Sequence, residues 1–237
     1  MPNYFAAAAL AAVMGLSVAA AARADEPTPA QKAEIARLVG IARLQHRLSG
    51  DVALKAPQAT LHLGHRYYFL GPEEAKQVLK EWGNPPSAAE DVLGIVFPAD
   101  KSFLDDTWGA VVTYEQAGYI ADKDANSTDY NKYVEEVQKG EDSENEARKK
   151  DGFPSIHLVG WAQAPSYDPA RHYLIWARDL RFSGEKDDTL NYDVRLLGRR
   201  GFLSVNLVSK MPQLASVRAD AASLAAAATF DPRQLLQ

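Results

Sequence analysis

Cysteine is absent from all 237 residues. That excludes disulfides, thiol nucleophiles, iron–sulfur clusters and cysteine zinc sites together. A chain of this length buries enough apolar surface to fold without covalent staples. An excess of positive charge is also lacking: 26 Lys and Arg stand against 31 Asp and Glu, a net charge of −5. Nucleic acid, whose phosphates require a basic surface, is therefore excluded as a partner. No Gly-rich loop leads from a strand into a helix, so nucleotide binding has little support. None of Ser49, Ser155 and Ser204 sits between glycines at a strand-to-helix elbow. No Glu lies between two histidines on a helix, and Asp105-Asp106 and Asp187-Asp188 are adjacent turn residues rather than carboxylates facing across a cleft.

The one long apolar run is at the N-terminus. Phe5 to Ala22 carries no charge and is followed by Ala22-Arg23-Ala24-Asp25, with small residues where a signal peptidase needs them. Residues 1–24 are expected to be a signal peptide, cut before Asp25; left uncut, the same run is long enough to act as a membrane anchor. No second run of that kind follows, so the remainder has no transmembrane helix of its own. Removing the leader, whose single charged side chain is Arg23, makes the chain more acidic.

Residues 25–50 read as a linker and an N-terminal helix, with Pro29 at a first helical position and Ile35, Leu38, Val39 and Ala42 at helical spacing. Residues 51–237 read as a single α+β domain. Val52 to Lys55 and Thr60 to Leu70 form a hairpin in the reading by alternation, and Gly71-Pro72-Glu73-Glu74 opens a helix with a buried stripe of Ala75, Val78, Leu79 and Trp82. Strands follow at Val92 to Phe97 and Trp108 to Tyr114, then helical spacing at Tyr130, Tyr133, Val134 and Val137, and a highly charged helix or loop over Gly140 to Gly152. Four strands, Ile156 to Ala162, His172 to Phe182, Leu190 to Leu197 and Phe202 to Val208, predict an antiparallel meander, and Ala-rich Met211 to Thr229 predicts a closing helix. The expected fold is thus a twisted, largely antiparallel sheet, hairpin plus C-terminal meander, with helices packed on one face.

For a metal, the candidates are Asp122, Asp124 and Asn126, oxygen ligands at alternate loop positions that suit a hard divalent cation. Ser127 stands where such a loop wants Gly and Tyr133 where it wants a bidentate Glu, so the competing reading is a polar loop whose end caps the next helix. No other cofactor is expected. His62 and His65 are an odd number apart, which sends them to opposite faces of a strand and denies them a shared metal; His65, among apolar positions, reads as an interior histidine. The densest aromatic and polar stretch runs from Trp161 through Tyr167, Asp168 and Trp176-Ala177-Arg178-Asp179 to Asn191, Tyr192 and Arg195. Trp161 and Tyr167 suit stacking on a ligand, with Asp168, Asn191 and Arg195 as its polar contacts, although alternation in a sheet makes most of this stretch core.

Four landmarks resemble a family of membrane-anchored envelope proteins of Gram-negative bacteria, domain of unknown function 2167. They are Trp82-Gly83-Asn84-Pro85-Pro86; Gly118-Tyr119-Ile120 with its Asp-rich follower; Gly160-Trp161 to Tyr167-Asp168 with Trp176-Ala177; and Leu190-Asn191-Tyr192 to Gly198-Arg199-Arg200-Gly201. The resemblance spans about Gly50 to Phe230 and brings no assigned activity. It implies a C-terminal membrane anchor beyond the final helix, where this sequence has Phe230 to Gln237. The membrane is then a partner only through an uncleaved N-terminal segment. Address and exclusions together lead to an exported periplasmic or envelope protein, a non-enzymatic binding or structural component whose partner is an envelope protein or a cell-wall component. The alternative is a hydrolase of an envelope polymer, working with Asp122 and Asp124 or with Asp168 and Arg195.

Overall fold

The computed structural model describes residues 27–118 and 130–235. The expected leader, residues 1–24, and the candidate cation loop, Asp122, Asp124 and Asn126, lie outside those residues. The fold is α+β, with two antiparallel sheets. In chain order the elements are α1 (Pro29–Leu44), β1 (Asp51–Leu54), β2 (Ala59–His62), β3 (Tyr67–Leu70), α2 (Pro72–Glu81), β4 (Val92–Pro98), β5 (Gly109–Glu115), α3 (Tyr130–Lys150), β6 (Ile156–Asp168), β7 (Tyr173–Phe182), β8 (Thr189–Gly198), β9 (Gly201–Lys210), α4 (Leu214–Ala226) and β10 (Ala228–Phe230). The main sheet has seven strands in the order β3-β4-β5-β9-β8-β7-β6, and the small one has three, β1-β2-β10.

The predicted hairpin forms, but its second arm does not run straight to Leu70. Gly64 takes a left-handed φ of 58° and breaks the arm, leaving β2 in the small sheet and sending β3 to the edge of the large one. His65 falls in that break and is exposed, not interior, because the alternation that placed it ends one residue earlier. The Ala-rich closing helix stops at Ala226, and Ala228–Phe230 turns back to pair with β2.

Strands β8 and β9 are buried on both sides along nearly their whole length. Both faces must therefore be covered, and helices are found on both rather than on one. On the first face, α4 (Val217, Ala221, Leu224, Ala225) and the small sheet (Val52, Leu54, Leu61, Ala228) close over Val112, Leu190, Tyr192, Val194, Leu203, Val205 and Leu207. Trp108, just before β5, donates its indole N–H to Asp220 of α4 at 2.7 Å. Asp220→Ala leaves that buried donor without its charged acceptor and is expected to lower stability by about 1–3 kcal/mol, read from urea unfolding. An unchanged midpoint would show that the indole N–H finds water.

On the second face, α1 and α2 bury Leu38, Ala75, Val78, Leu79 and Trp82 against Tyr68, Leu70, Ile95 and Phe97 at one end. At the other end α3 lays Val134 and Val137 on Leu158, Leu180 and Phe182. The charged stretch of α3 has a definite task. Strand β6 is an edge strand, and an unpaired edge invites another chain. Here Gln138 donates to the Leu158 carbonyl (2.7 Å) and Glu141 accepts from the Leu158 N–H (2.6 Å). Asn145 takes both the N–H and the carbonyl of Ile156, each at 2.8 Å. Helix side chains thus replace the missing strand.

Candidate functional site

Between the two helical ends of the second face lies the middle of the sheet, where the inward-facing side chains are polar. Strand β8 reads Thr-Leu-Asn-Tyr-Asp-Val-Arg-Leu-Leu-Gly. Its period of two sends Leu190, Tyr192, Val194 and Leu196 to the first face and Asn191, Asp193 and Arg195 to the second. Strand β9 does the same with Ser204 and Asn206, which sit opposite Arg195 and Asp193 respectively. Strand β7 brings Trp176 opposite Asp193 and Arg178 opposite Asn191. In β6, Trp161 is opposite Arg178, which extends that row to the sheet edge.

This array is not solvated. Asn191 and Asp193 are 0% exposed, Arg195 1%, Ser204 and Asn206 3% and Arg178 6%. Its centre is well satisfied. The Ser204 hydroxyl donates to Asp193 at 2.6 Å, and Arg195 Nε donates to the other carboxylate oxygen at 3.3 Å. The guanidinium of Arg195 lies between two rings, 4.5 Å from the centroid of Trp176 and 4.3 Å from that of Phe202, so cation–π attraction acts on both faces. Burial holds its pKa below the ordinary arginine value, Asp193 opposes that shift and Arg178 adds to it; the group stays charged at any physiological pH.

The flank of the array is different. Arg178 Nε and Nη2, both amide atoms of Asn191 and the Oδ1 of Asn206 are buried with no hydrogen-bond partner among the described residues. Buried polar groups are ordinarily paired, and each exception calls for a reason.

Of the side chains singled out from sequence, Asn191 and Arg195 belong to this array, two rows apart on β8. Trp161 borders it, half-buried and stacked on Tyr133 of α3 with ring centroids 5.5 Å apart. Tyr167 is on the same face, packed against Leu174, Trp176, Leu197 and Phe202, with its hydroxyl 3.0 Å from His172 Nδ1. Asp168 is not brought to the array. It builds the β6–β7 turn, accepting from the N–H groups of Ala170 (2.9 Å) and Arg171 (3.2 Å) and from the Arg171 guanidinium (2.7 Å). The Arg171 side chain first, and then those N–H groups, hold its carboxyl below the usual carboxylate range.

Sequence reasoning missed Asp193, Ser204 and Asn206 as members. The signal was their alternation with Leu and Val, which on an antiparallel strand ordinarily marks a wet face.

One further constellation has a catalytic look. Asp51 Oδ1 is 2.9 Å from His62 Nδ1, and His62 Nε2 is 2.9 Å from Thr229 Oγ1, one residue from each strand of the small sheet. That is the bond order of a nucleophile, base and orienter. All three side chains are exposed on an open sheet face, where water competes for each bond, so the relay acts as a clamp holding β10 to the hairpin. Among the described residues no group of three His, Asp or Glu side chains is placed to hold a metal ion. No helix among them is long and apolar enough to cross a membrane.

The sequence pattern of the family described as "Protein of unknown function (DUF2167)" matches residues 46–234. No curated protein matches the chain. Among solved structures it is similar to the solution structure of cyanobacterial PsbP (CyanoP) from Synechocystis sp. PCC 6803, at 9% identity and a TM-score of 0.44, over 76% of this chain and 91% of that one.

Proposed function

The chain belongs to the DUF2167 family, and from that premise we propose that it is an exported protein of the bacterial envelope that works by binding, not by catalysis, with an envelope protein or a cell-wall component as its partner. The observation that carries the reading is the buried array on the second face, where Arg178, Asn191 and Asn206 hold hydrogen-bonding atoms without a partner among the described residues. Unsatisfied donors and acceptors in a fixed sheet are pre-organised for a ligand. The acids on or beside the array are engaged: Asp193 with Ser204 and Arg195, Asp168 with Arg171, and Asp188 with Arg181 through paired contacts of 2.9 and 2.8 Å; Asp179, whose buried Oδ1 has no partner among the described residues, stands opposite Leu190 on the other face of the sheet. That commitment supports binding over carboxylate hydrolysis. Export is supported by the uncharged run from Phe5 to Ala22.

Cell fractionation with N-terminal sequencing tests the address. The expected product begins at Asp25 and is soluble in the periplasm; a chain retaining Met1 in the cytosol would overturn export. Capture from envelope extracts tests the activity. One discrete partner is expected, lost with Trp161→Ala in protein that melts like the wild type. Recovery of bulk envelope proteins alone, equally by both forms, would count against a binding role.

A further inference from the structure

The five orphan atoms can be read as a negative of what they bind. The Nε and Nη2 atoms form one edge of the Arg178 guanidinium, and they are the two without partners. Such an edge asks for two acceptor oxygens side by side, the geometry of a carboxylate. Asn191, opposite Arg178 across the β7–β8 pair, has both its Nδ2 donor and its Oδ1 acceptor free. It asks for a carbonyl and an N–H, which a peptide amide supplies together. Asn206 is the diagonal neighbour of Asn191, because Asn191 pairs with Val208 and Asn206 with Asp193. Its free Oδ1 asks for a further N–H. Directly opposed side chains in a sheet are about 5 Å apart at Cβ and diagonal ones about 7–8 Å, the length of one amino-acid unit with its flanking amide.

We infer that Arg178, Asn191 and Asn206 recognise the C-terminal end of a peptide: the free carboxylate on the Arg178 edge, the preceding amide on Asn191 and a further N–H on Asn206. The inference rests on the binding role proposed above and names its ligand class. The row that holds Arg178 and Asn191 runs out to half-buried Trp161 at the sheet edge; because the orphan atoms are shut from solvent in the free protein, binding must displace that side chain. Two sources share this chemistry. Cell-wall stem peptides end in a D-residue and ordinary protein chains in an L-residue, so the handedness of the last residue tells them apart.

The exported protein is titrated calorimetrically with N-acetyl-D-alanyl-D-alanine, with its L,L counterpart and with the C-terminal amide of each. One acid is expected to bind, and its amide at least about 30-fold more weakly, because amidation leaves the Arg178 edge unpaired. Arg178→Lys keeps the charge without the edge and is expected to lose about 10-fold.

Thermal unfolding of the free protein supplies the second readout. A buried orphan is a burden on the unliganded fold, so Arg178→Met and Asn191→Leu, which bind no acid, are expected to melt roughly 2–8 °C above the wild type. If the variants melt higher but no acid outcompetes its amide, the peptide-end assignment falls while the array remains a binding face for other chemistry. If the variants melt lower and the wild type binds neither acid, the polar residues serve the fold, and the proposed binding role falls with the inference. Acid binding preserved in both variants would also overturn the assignment.

Discussion

Arg195→Ala is expected to destabilise the protein by about 3–5 kcal/mol, because it leaves the Asp193 carboxylate buried without its cation. Asp193 is 0% exposed and its oxygens are held by Ser204 and Arg195, so water has no route to replace what is removed. The truncation also empties the slot between the Trp176 and Phe202 rings, which lie 4.5 and 4.3 Å from the guanidinium carbon. Packing and charge therefore fail at one point. Arg195→Met with Asp193→Leu removes both charges and keeps the slot filled; it is expected to recover most of the loss, since apolar replacements of a buried ion pair are often neutral or better. Urea unfolding of the wild type, the single variant and the double variant reads this directly. A single-variant cost under about 1 kcal/mol would mean that Asp193 reaches solvent when its partner is gone.

Arg195 and Asn191 were legible in the sequence as the polar members of its densest aromatic and polar stretch, and the apolar runs there drew the meander of β7, β8 and β9. Helix α2 was legible from Pro72, Glu73 and Glu74 at its start and from its stripe of Ala75, Val78 and Leu79, all of them buried. What could not be read was which face is wet. Alternation distinguishes two sides of a strand but does not say what lies over each. The polar side of β8 is covered, which makes Asp193, Ser204 and Asn206 interior groups. The break at Gly64 was hidden for a related reason: Leu61 of the small sheet, Leu63 in the break, and Tyr67 and Phe69 of the large sheet all face one apolar cluster. Pairing of β10 with β2 joins residues more than 160 positions apart and leaves no local trace. Asp168 was chosen for its aromatic neighbours, yet Asp and its succeeding N–H groups make a turn wherever the chain reverses, and that is how it is used.

Gly201→Ala is expected to cost about 4 kcal/mol or more, a loss of the size reserved for steric conflicts that have no local remedy. The position starts β9 after the two-residue turn Arg199-Arg200, opposite Gly198. A Cβ there would stand 1.9 Å from the Glu115 carbonyl oxygen, 2.9 Å from its carbon and 3.0 Å from the Ala117 nitrogen. All three are backbone atoms at the end of β5 and just beyond it, so no rotamer change relieves the contact. Relief requires β9 to part from β5, where Glu115 pairs with Phe202 and Gly118 donates to Arg200 at 3.1 Å. Phe202 is one wall of the Arg195 slot and Ser204 holds Asp193, so the displacement runs straight into the buried array. Gly198→Ala is the control from the same turn. Its Cβ would meet chiefly the Phe230 ring, at 2.9 and 3.0 Å, and that side chain is only half-buried and has somewhere to go. A cost of about 1–2 kcal/mol is expected there. Equal unfolding midpoints for the two alanine variants would show that the β5–β9 seam yields as easily as a side chain. A wide gap, with loss of Arg195–Trp176 and Arg195–Phe202 contacts reported by tryptophan and aromatic NMR signals in Gly201→Ala alone, would show what the glycine in this turn does: it lets three strands close tightly enough to bury charge.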